Sequence, residues 1–248
     1  MPTASVIIPA AGQGRRFSGT EAKSGPRVPF GERLTKAFVL LAGKPVIEHT
    51  LERFCTVPAV AEVIVAVPED GVAWVEALLA AAAARTRCRL KVVAGGTDRP
   101  ESVARALEVS DPGTELVAIH DAVRPLIRRE IIEEALRVAV ERGAAVVGRP
   151  IDHTVKRVAA GRRVIETVPR GDLWLAQTPQ VFRREVITSA YRKREEVVGA
   201  ITDDAQLVEA LGYEVAMVPG DAANVKITTP EDLHLCEAVL AAGWPFKE

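Results

Sequence analysis

Short stretches of this sequence gather residue types suited to handling phosphates. Pro9-Ala10-Ala11-Gly12-Gln13-Gly14-Arg15-Arg16-Phe17 follows directly on Ser5-Val6-Ile7-Ile8, a β-branched run that predicts a buried strand. Gly12 and Gly14 let the backbone turn sharply and approach a ligand without Cβ interference. Amides turned inward by such a loop form an anion cradle. The forked donors of Arg15 and Arg16 suit phosphate oxygens. Taken alone, Gly-x-Gly fits an ordinary turn with solvated arginines equally well. His120-Asp121-Ala122-Val123-Arg124-Pro125 ends another apolar run with a carboxylate, a cation and a proline. A hard carboxylate at a strand's end, facing a phosphate loop, suits Mg²⁺, which takes one or two protein oxygens plus phosphates and waters. The competing reading has Asp121 capping the next helix and paired with Arg124. His120 reads as a packed histidine, because its neighbour on the strand points to the opposite face.

The remaining candidate cations are Lys36, Arg170 and Lys226, and the first and last stand out for their apolar or neutral flanks. Neither a Ser-His-Asp set nor a paired-carboxylate set is evident. Phosphoryl-type transfer needs neither, since its demands are an in-line nucleophile and neutralised charge. An acceptor that is itself a phosphate monoester, with a second pKa of about 6, is largely deprotonated at neutral pH and needs no general base.

The elements that must position these groups alternate. Strands are expected at 5–8, 63–67, 90–93, 116–119 and 144–147, and helices at 46–54, 72–85, 101–109 and 128–142. This β-α rhythm implies a twisted, mostly parallel sheet with helices on both faces. Ligands of such sheets bind beyond the carboxyl ends of the strands. Gly12/Gly14, Gly95/Gly96 and His120-Asp121 all fall there. Between Pro150 and Arg170 the rhythm gives way to a predicted β-hairpin, 154–158 and 163–168, with a Gly-containing turn. A two-stranded ribbon is too small to be stable alone, so a symmetric partner subunit is expected to cover it. Beyond it the pattern predicts helices at 185–194, 203–211 and 231–240 and a strand at 214–218. Ser18–Thr35 is a long segment without apolar periodicity beside the candidate site.

A chain of 248 residues with 48% hydrophobic and 26% charged content is expected to form one α/β domain over 1–248. Its formal net charge of −1 argues against a nucleic-acid-coating surface. No signal peptide or membrane span is expected. Cys55, Cys88 and Cys236 lack the close spacing of a zinc or redox site and are expected to be reduced thiols in a cytoplasmic protein.

In combination these motifs resemble the 2-C-methyl-D-erythritol 4-phosphate cytidylyltransferase family over nearly the whole chain. The resemblance rests on Pro9-Ala-Ala-Gly-x-Gly-Arg-Arg16, Lys36, Gly95-Gly96 with Ser102, and His120-Asp-Ala-x-Arg-Pro125. It continues through Thr154-Val-Lys-Arg157, Thr167-Val-x-Arg170, Leu173-Trp-x-Ala-Gln-Thr-Pro-Gln180, Thr202-Asp203 and Asn224-x-Lys-x-Thr228. It implies a Rossmann-like enzyme joining CTP to the polyol phosphate with release of diphosphate. By position, Ala10, Ala11, Gly12 and Gly14 would hold the nucleotide, and Arg16 and Lys36 would bind the triphosphate and stabilise the transition state. Gly96 and Ser102 would line the cytosine pocket, and Asp121 would bind Mg²⁺. Arg124, Thr154, Arg170 and Lys226 would hold the acceptor phosphate and hydroxyls, with Lys226 also counted as catalytic. The hairpin would be a homodimer arm, carrying Thr154 and Arg170 to the neighbouring subunit's site. The chain departs from the family in the length of the segment before Lys36, which leaves Lys23 as a rival for its role, and at Thr35, Thr97 and Pro169.

Other readings remain at this point. A ribitol 5-phosphate cytidylyltransferase would share the fold, loop and carboxylate. An NAD-dependent oxidoreductase fits poorly, since Arg-Arg-Phe stands where a third glycine is needed and Val67-Pro68 where a ribose-binding acid is needed. A non-catalytic nucleotide-binding module would not need so many converging charges.

Overall fold

The computed structural model describes residues 2–12, 36–197 and 199–243. Its centre is a seven-stranded sheet built from β1 (Ala4–Pro9), β4 (Val60–Val67), β5 (Arg89–Ala94), β6 (Leu116–Ile119), β7 (Ala144–Pro150), β10 (Trp174–Arg183) and β11 (Ala216–Pro219), in the order β11-β7-β10-β6-β1-β4-β5. Pairings among β1, β4, β5 and β6, and between β7 and β11, are parallel; β10 alone runs antiparallel, wedged between β6 and β7.

The sheet is buried on both sides because its strands carry apolar residues at successive positions. Val6 and Ile8 of β1 enter one core, with Val63 and Val65 of β4 and Leu116 and Ala118 of β6. Ile7, Ile64, Val117 and Ile119, one step along each strand, enter the other. This is the period-2 alternation of a strand, with both faces covered. The first core is closed by α1 (Val46–Cys55), α2 (Val72–Arg85) and α4 (Arg129–Arg142). The second is closed by α3 (Arg99–Glu108), α5 (Arg184–Arg192) and α6 (Ala205–Ala210). Predicted helix and strand positions agree with these to within a few residues.

A third, smaller cluster matters most for the site. Val39 and Leu41, Val46, Leu126, Ile227, and Leu233 and Cys236 of α7 (Pro230–Ala241) are buried together. Val39 and Leu41, Leu126, and Ile227 follow within five residues of the candidate charges Lys36, Arg124 and Lys226 respectively. Apolar burial therefore fixes where three distant pieces of chain meet. The short strands β2 (Leu40–Leu41) and β3 (Lys44–Pro45) form a hairpin leading into α1.

The expected arm is present as β8 (Val155–Val158) paired with β9 (Val164–Val168). Gly161 and Arg162 at its tip have φ of 72° and 61°, the left-handed region that a tight turn demands. Two features depart from expectation. The Leu173–Gln180 motif runs from Trp174 on in β10, a strand hidden in the sequence because Pro179 demotes any strand reading; the structure accommodates it at an irregularity in register between Ala176 and Gln180. Cys55 and Cys88 are not free thiols but a disulfide, with Cα atoms 5.6 Å apart. They stand 33 residues apart in sequence, and only the fold brings the end of α1 beside the start of β5. Cys236 is free and buried, and burial pushes its thiol pKa up to about 12.

Candidate active site

Three loops at the carboxyl edge of the sheet are bound to one another through strand ends. Ala10 N donates to Ala66 O at 2.7 Å, Gly95 N to Val67 O at 2.6 Å, and His120 N to Ile7 O at 2.9 Å. The first two loops touch closely: a Cβ on Gly95 would lie 2.7 Å from the Ala11 Cβ and 2.9 Å from Ser102 Oγ. Glycine is required here by space, since only a residue without a side chain allows that approach. Ser102 Oγ accepts from Gly96 N at 3.0 Å and donates to Asp98 O at 2.7 Å. The Asp98 side chain meanwhile caps α3 by accepting from Glu101 N at 2.8 Å, as helix starts favour.

Asp121 is the electrostatic focus. Its Oδ2 lies 2.9 Å from Lys226 Nζ and 3.1 Å from Arg124 Nε, and its Oδ1 3.8 Å from Arg99 Nε. Burial opposes the carboxylate's charge, but Lys226, Arg99 and Arg124 outweigh it and hold the pKa well below the usual carboxylate range. Arg124 is itself buried, and its Nη1 donates to Asn224 O at 2.7 Å. That bond, with Ile227 N donating to Val123 O at 2.9 Å, docks the Lys226 loop onto the Asp121 loop. Asn224 Nδ2 donates to Thr178 O at 2.9 Å, which ties both loops to β10.

His120 is wholly buried, its ring against that of Phe54 with centroids 4.8 Å apart. Thr178 Oγ1 accepts from Asp121 N at 3.0 Å and lies 3.1 Å from His120 Nδ1. Nε2 lies 3.1 Å from Arg124 O. A carbonyl can only accept, so this network assigns the proton to Nε2 and makes Nδ1 the acceptor of the threonine hydroxyl. Burial lowers the His120 pKa to about 4, so the ring is a neutral strut under Asp121.

The structure thus brings Ala10, Ala11 and Gly12 beside the loop of Gly96 and Ser102, and places Asp121, Arg124 and Lys226 together. Lys36 begins the 3₁₀ turn Lys36–Phe38, from which Ala37 and Phe38 enter the core. Gly14, Arg16 and the rival Lys23 lie outside the described residues. Thr154, just before β8, and Arg170, just after β9, are exposed, and Arg170 Nη1 donates to Asp152 O. Among the described residues no hydrogen bond or ion pair joins either to Asp121. Sequence reasoning missed Arg99, Asp204 and Thr178. Arg99 Nη2 lies 2.6 Å from Asp204 Oδ2, a pairing that no local pattern announces.

The comparisons with known proteins agree in coverage and in name. A model of the IspD family, 2-C-methyl-D-erythritol 4-phosphate cytidylyltransferase, matches residues 4–242. A protein of that name from Solibacter usitatus (strain Ellin6076) is 42% identical over 240 residues, 95% of each chain. One from Alkaliphilus metalliredigens (strain QYMF) is 38% identical, covering 95% of this chain and 92% of its own. Among solved structures, the 2-C-methyl-D-erythritol 4-phosphate cytidylyltransferase of Thermus thermophilus matches with a TM-score of 0.73 at 33% identity, covering 96% of this chain and 99% of that one. The 4-diphosphocytidyl-2C-methyl-D-erythritol synthase of Anaerococcus prevotii matches with a TM-score of 0.78 at 28% identity, covering 97% and 99%. With residues 4–242 matched and Asp121, Arg124 and Lys226 gathered at one edge of the sheet, this protein belongs to the 2-C-methyl-D-erythritol 4-phosphate cytidylyltransferase (IspD) family.

Proposed function

We infer that the chain transfers the cytidylyl group of CTP to 2-C-methyl-D-erythritol 4-phosphate, giving 4-diphosphocytidyl-2-C-methyl-D-erythritol and diphosphate. The observation that supports this reading within the family is the Asp121–Lys226 pair at 2.9 Å, at the carboxyl edge of the sheet where the β6 end is bonded to β1. An oxygen of the acceptor phosphate attacks the α-phosphorus of CTP. The new P–O bond forms as the α–β bridge breaks, and its electron pair leaves with diphosphate. The acceptor arrives deprotonated, so the protein's task is to align two anions and neutralise them. Lys226, half-exposed beside buried Asp121, is set to meet the acceptor phosphate and the charge that develops on transfer. Arg16 and Lys36 are the residues we assign to the triphosphate.

Ala10, Ala11, Gly12 and Gly14 would cradle the nucleotide. Gly96 would face cytosine, with Ser102 shaping that loop through its two hydrogen bonds. Arg124 is mostly spent on Asp121 and Asn224, so we read it as orienting the site while its charge reaches the acceptor. Mg²⁺ fits as a one-carboxylate ion: Lys226 and Arg124 engage Oδ2 of Asp121 while Oδ1 stands 3.8 Å from Arg99 Nε, so Oδ1 would supply one ligand while phosphates and waters supply the rest. When bound, such an ion polarises the phosphates and offsets their charge.

The arm exposes Val158, Val164 and Ile165 at 53–55%, with Val158 paired with Val164 across the strands and Ile165 on the opposite face; this apolar surface supports a homodimer in which 150–170 packs on a second copy. Thr154 and Arg170 would then reach the partner's acceptor site. No helix among the described residues is long and apolar enough to cross a membrane. CTP as donor supports a cytoplasmic setting, and the Cys55–Cys88 bridge is the feature that opposes it. The family match favours methylerythritol phosphate over ribitol 5-phosphate. A diphosphate-release assay crossing four nucleoside triphosphates with both polyol phosphates tests this: CTP with methylerythritol phosphate should dominate, and dominance of any other pair overturns it.

A further inference from the structure

Asp121 is tied to a second buried carboxylate through Arg99. Lys226 and Arg124 both crowd onto Asp121 Oδ2, at 2.9 and 3.1 Å. Oδ1 faces Arg99 Nε at 3.8 Å, beyond hydrogen-bond range. The other end of that guanidinium is held by Asp204, with Nη2 2.6 Å from Oδ2. Asp204 is itself completely buried. Its Oδ1 accepts from the Tyr191 hydroxyl and its backbone N donates to Gln180 Oε1 at 3.0 Å, so it is anchored from both α5 and β10. Arg99 opens α3 directly after the Gly95–Asp98 loop, which puts it within reach of either carboxylate.

We propose that Asp204 is a positioning residue for cytidylyl transfer: it draws the Arg99 guanidinium to itself and thereby leaves Asp121 Oδ1 to the divalent cation. This rests on the reading of Asp121 as the metal carboxylate. With Asp204 neutralised, Arg99 has one charged partner left. It closes on Asp121 and competes with the ion. Shortening the 3.8 Å gap to a contact of about 2.8 Å, at an effective dielectric constant of about 20, is worth about tenfold against a competing cation.

The test uses Mn²⁺ as probe, its binding followed by electron paramagnetic resonance on the full chain saturated with CTP. Asp204→Asn should weaken Mn²⁺ binding about tenfold and raise the Mg²⁺ needed for half-maximal turnover by the same factor. Adding Arg99→Gln should restore binding to the wild-type level or better, because Oδ1 then faces no cation from that side. A merely structural Asp204 predicts lowered thermal stability with unchanged Mn²⁺ binding, and no rescue by the second substitution. Either result overturns the proposal. Should Asp204→Asn alone fail to fold, the double variant, whose two amides can pair, decides: binding weaker than wild type refutes the idea. Failure of the wild-type chain to bind Mn²⁺ would instead overturn the metal reading beneath it.

Discussion

The contact between the first two loops makes Gly95→Ala the sharpest test of how the nucleotide site is built. Gly95 does not have a positive φ, so alanine costs nothing in backbone conformation, and only space opposes it. The added Cβ would meet the Ala11 Cβ at 2.7 Å, Ser102 Oγ at 2.9 Å and Val67 O at 3.3 Å. Carbon atoms in contact prefer about 3.5–4.0 Å, so the loop after β1 must retreat by about 1 Å. Ser102 is pinned by its own two hydrogen bonds and β4 by the sheet, which leaves the Ala11 loop to move. Overpacking of this kind costs about 1–3 kcal/mol, or roughly 3–10 °C in Tm for a chain of this size. A displacement of about 1 Å in a positioning loop costs on the order of 10²-fold in turnover. Scanning fluorimetry and diphosphate release measure the two effects. The compensating pair Ala11→Gly/Gly95→Ala removes the shortest clash and should recover part of both, leaving the 2.9 Å contact with Ser102. A Gly95→Ala enzyme with wild-type Tm and turnover, or a double variant no better than the single one, would refute the argument.

Lys36→Ala should lower turnover by on the order of 10²-fold or more with a modest loss of CTP affinity, as expected of a contact made mainly in the transition state; near-normal turnover would point to Lys23. Arg170→Ala should raise the KM for the polyol phosphate while CTP binding is retained, and equal loss of both would mean that the arm serves another purpose. Titration with a thiol-reactive dye should find no reactive cysteine in the native chain and all three after reduction and denaturation. Opening the Cys55–Cys88 loop of 33 residues should cost about 4 kcal/mol of stability, roughly 10 °C in Tm; an unchanged melting curve under reductant would contradict the bridge.

The elements built on strong local signals were legible in advance. Val72–Arg85 and Leu116–Ile119 are observed at the expected boundaries, because an alanine-rich helical pattern and a short continuous apolar run are decided by neighbours in the chain. The arm was legible for the same reason: alternation and a Gly-centred turn are local facts. The candidate loops were legible as well, since loops at the carboxyl ends of parallel strands share one edge of the sheet whatever the details. β10 escaped because its evidence is non-local: a proline in mid-run argues against a strand until β6 and β7 supply partners on either side. The disulfide escaped because spacing along the chain says nothing of distance across it.

Residues near one another in the chain were enough to place the helices and the parallel strands, the loops that could carry phosphate chemistry, and the family resemblance, but not β10. The fold was needed to bring Lys226 and Arg99 to Asp121, beside the Arg124 already near it in sequence. Lys226 lies more than a hundred positions from it, and Asp204 a similar distance from its partner Arg99. Those pairings follow from the burial of Val39, Leu126, Ile227 and Cys236 in one cluster and from the docking of α5 and α6 on the second core. Long-range packing is a property of the whole folded sheet, and side-chain electrostatics follow from it.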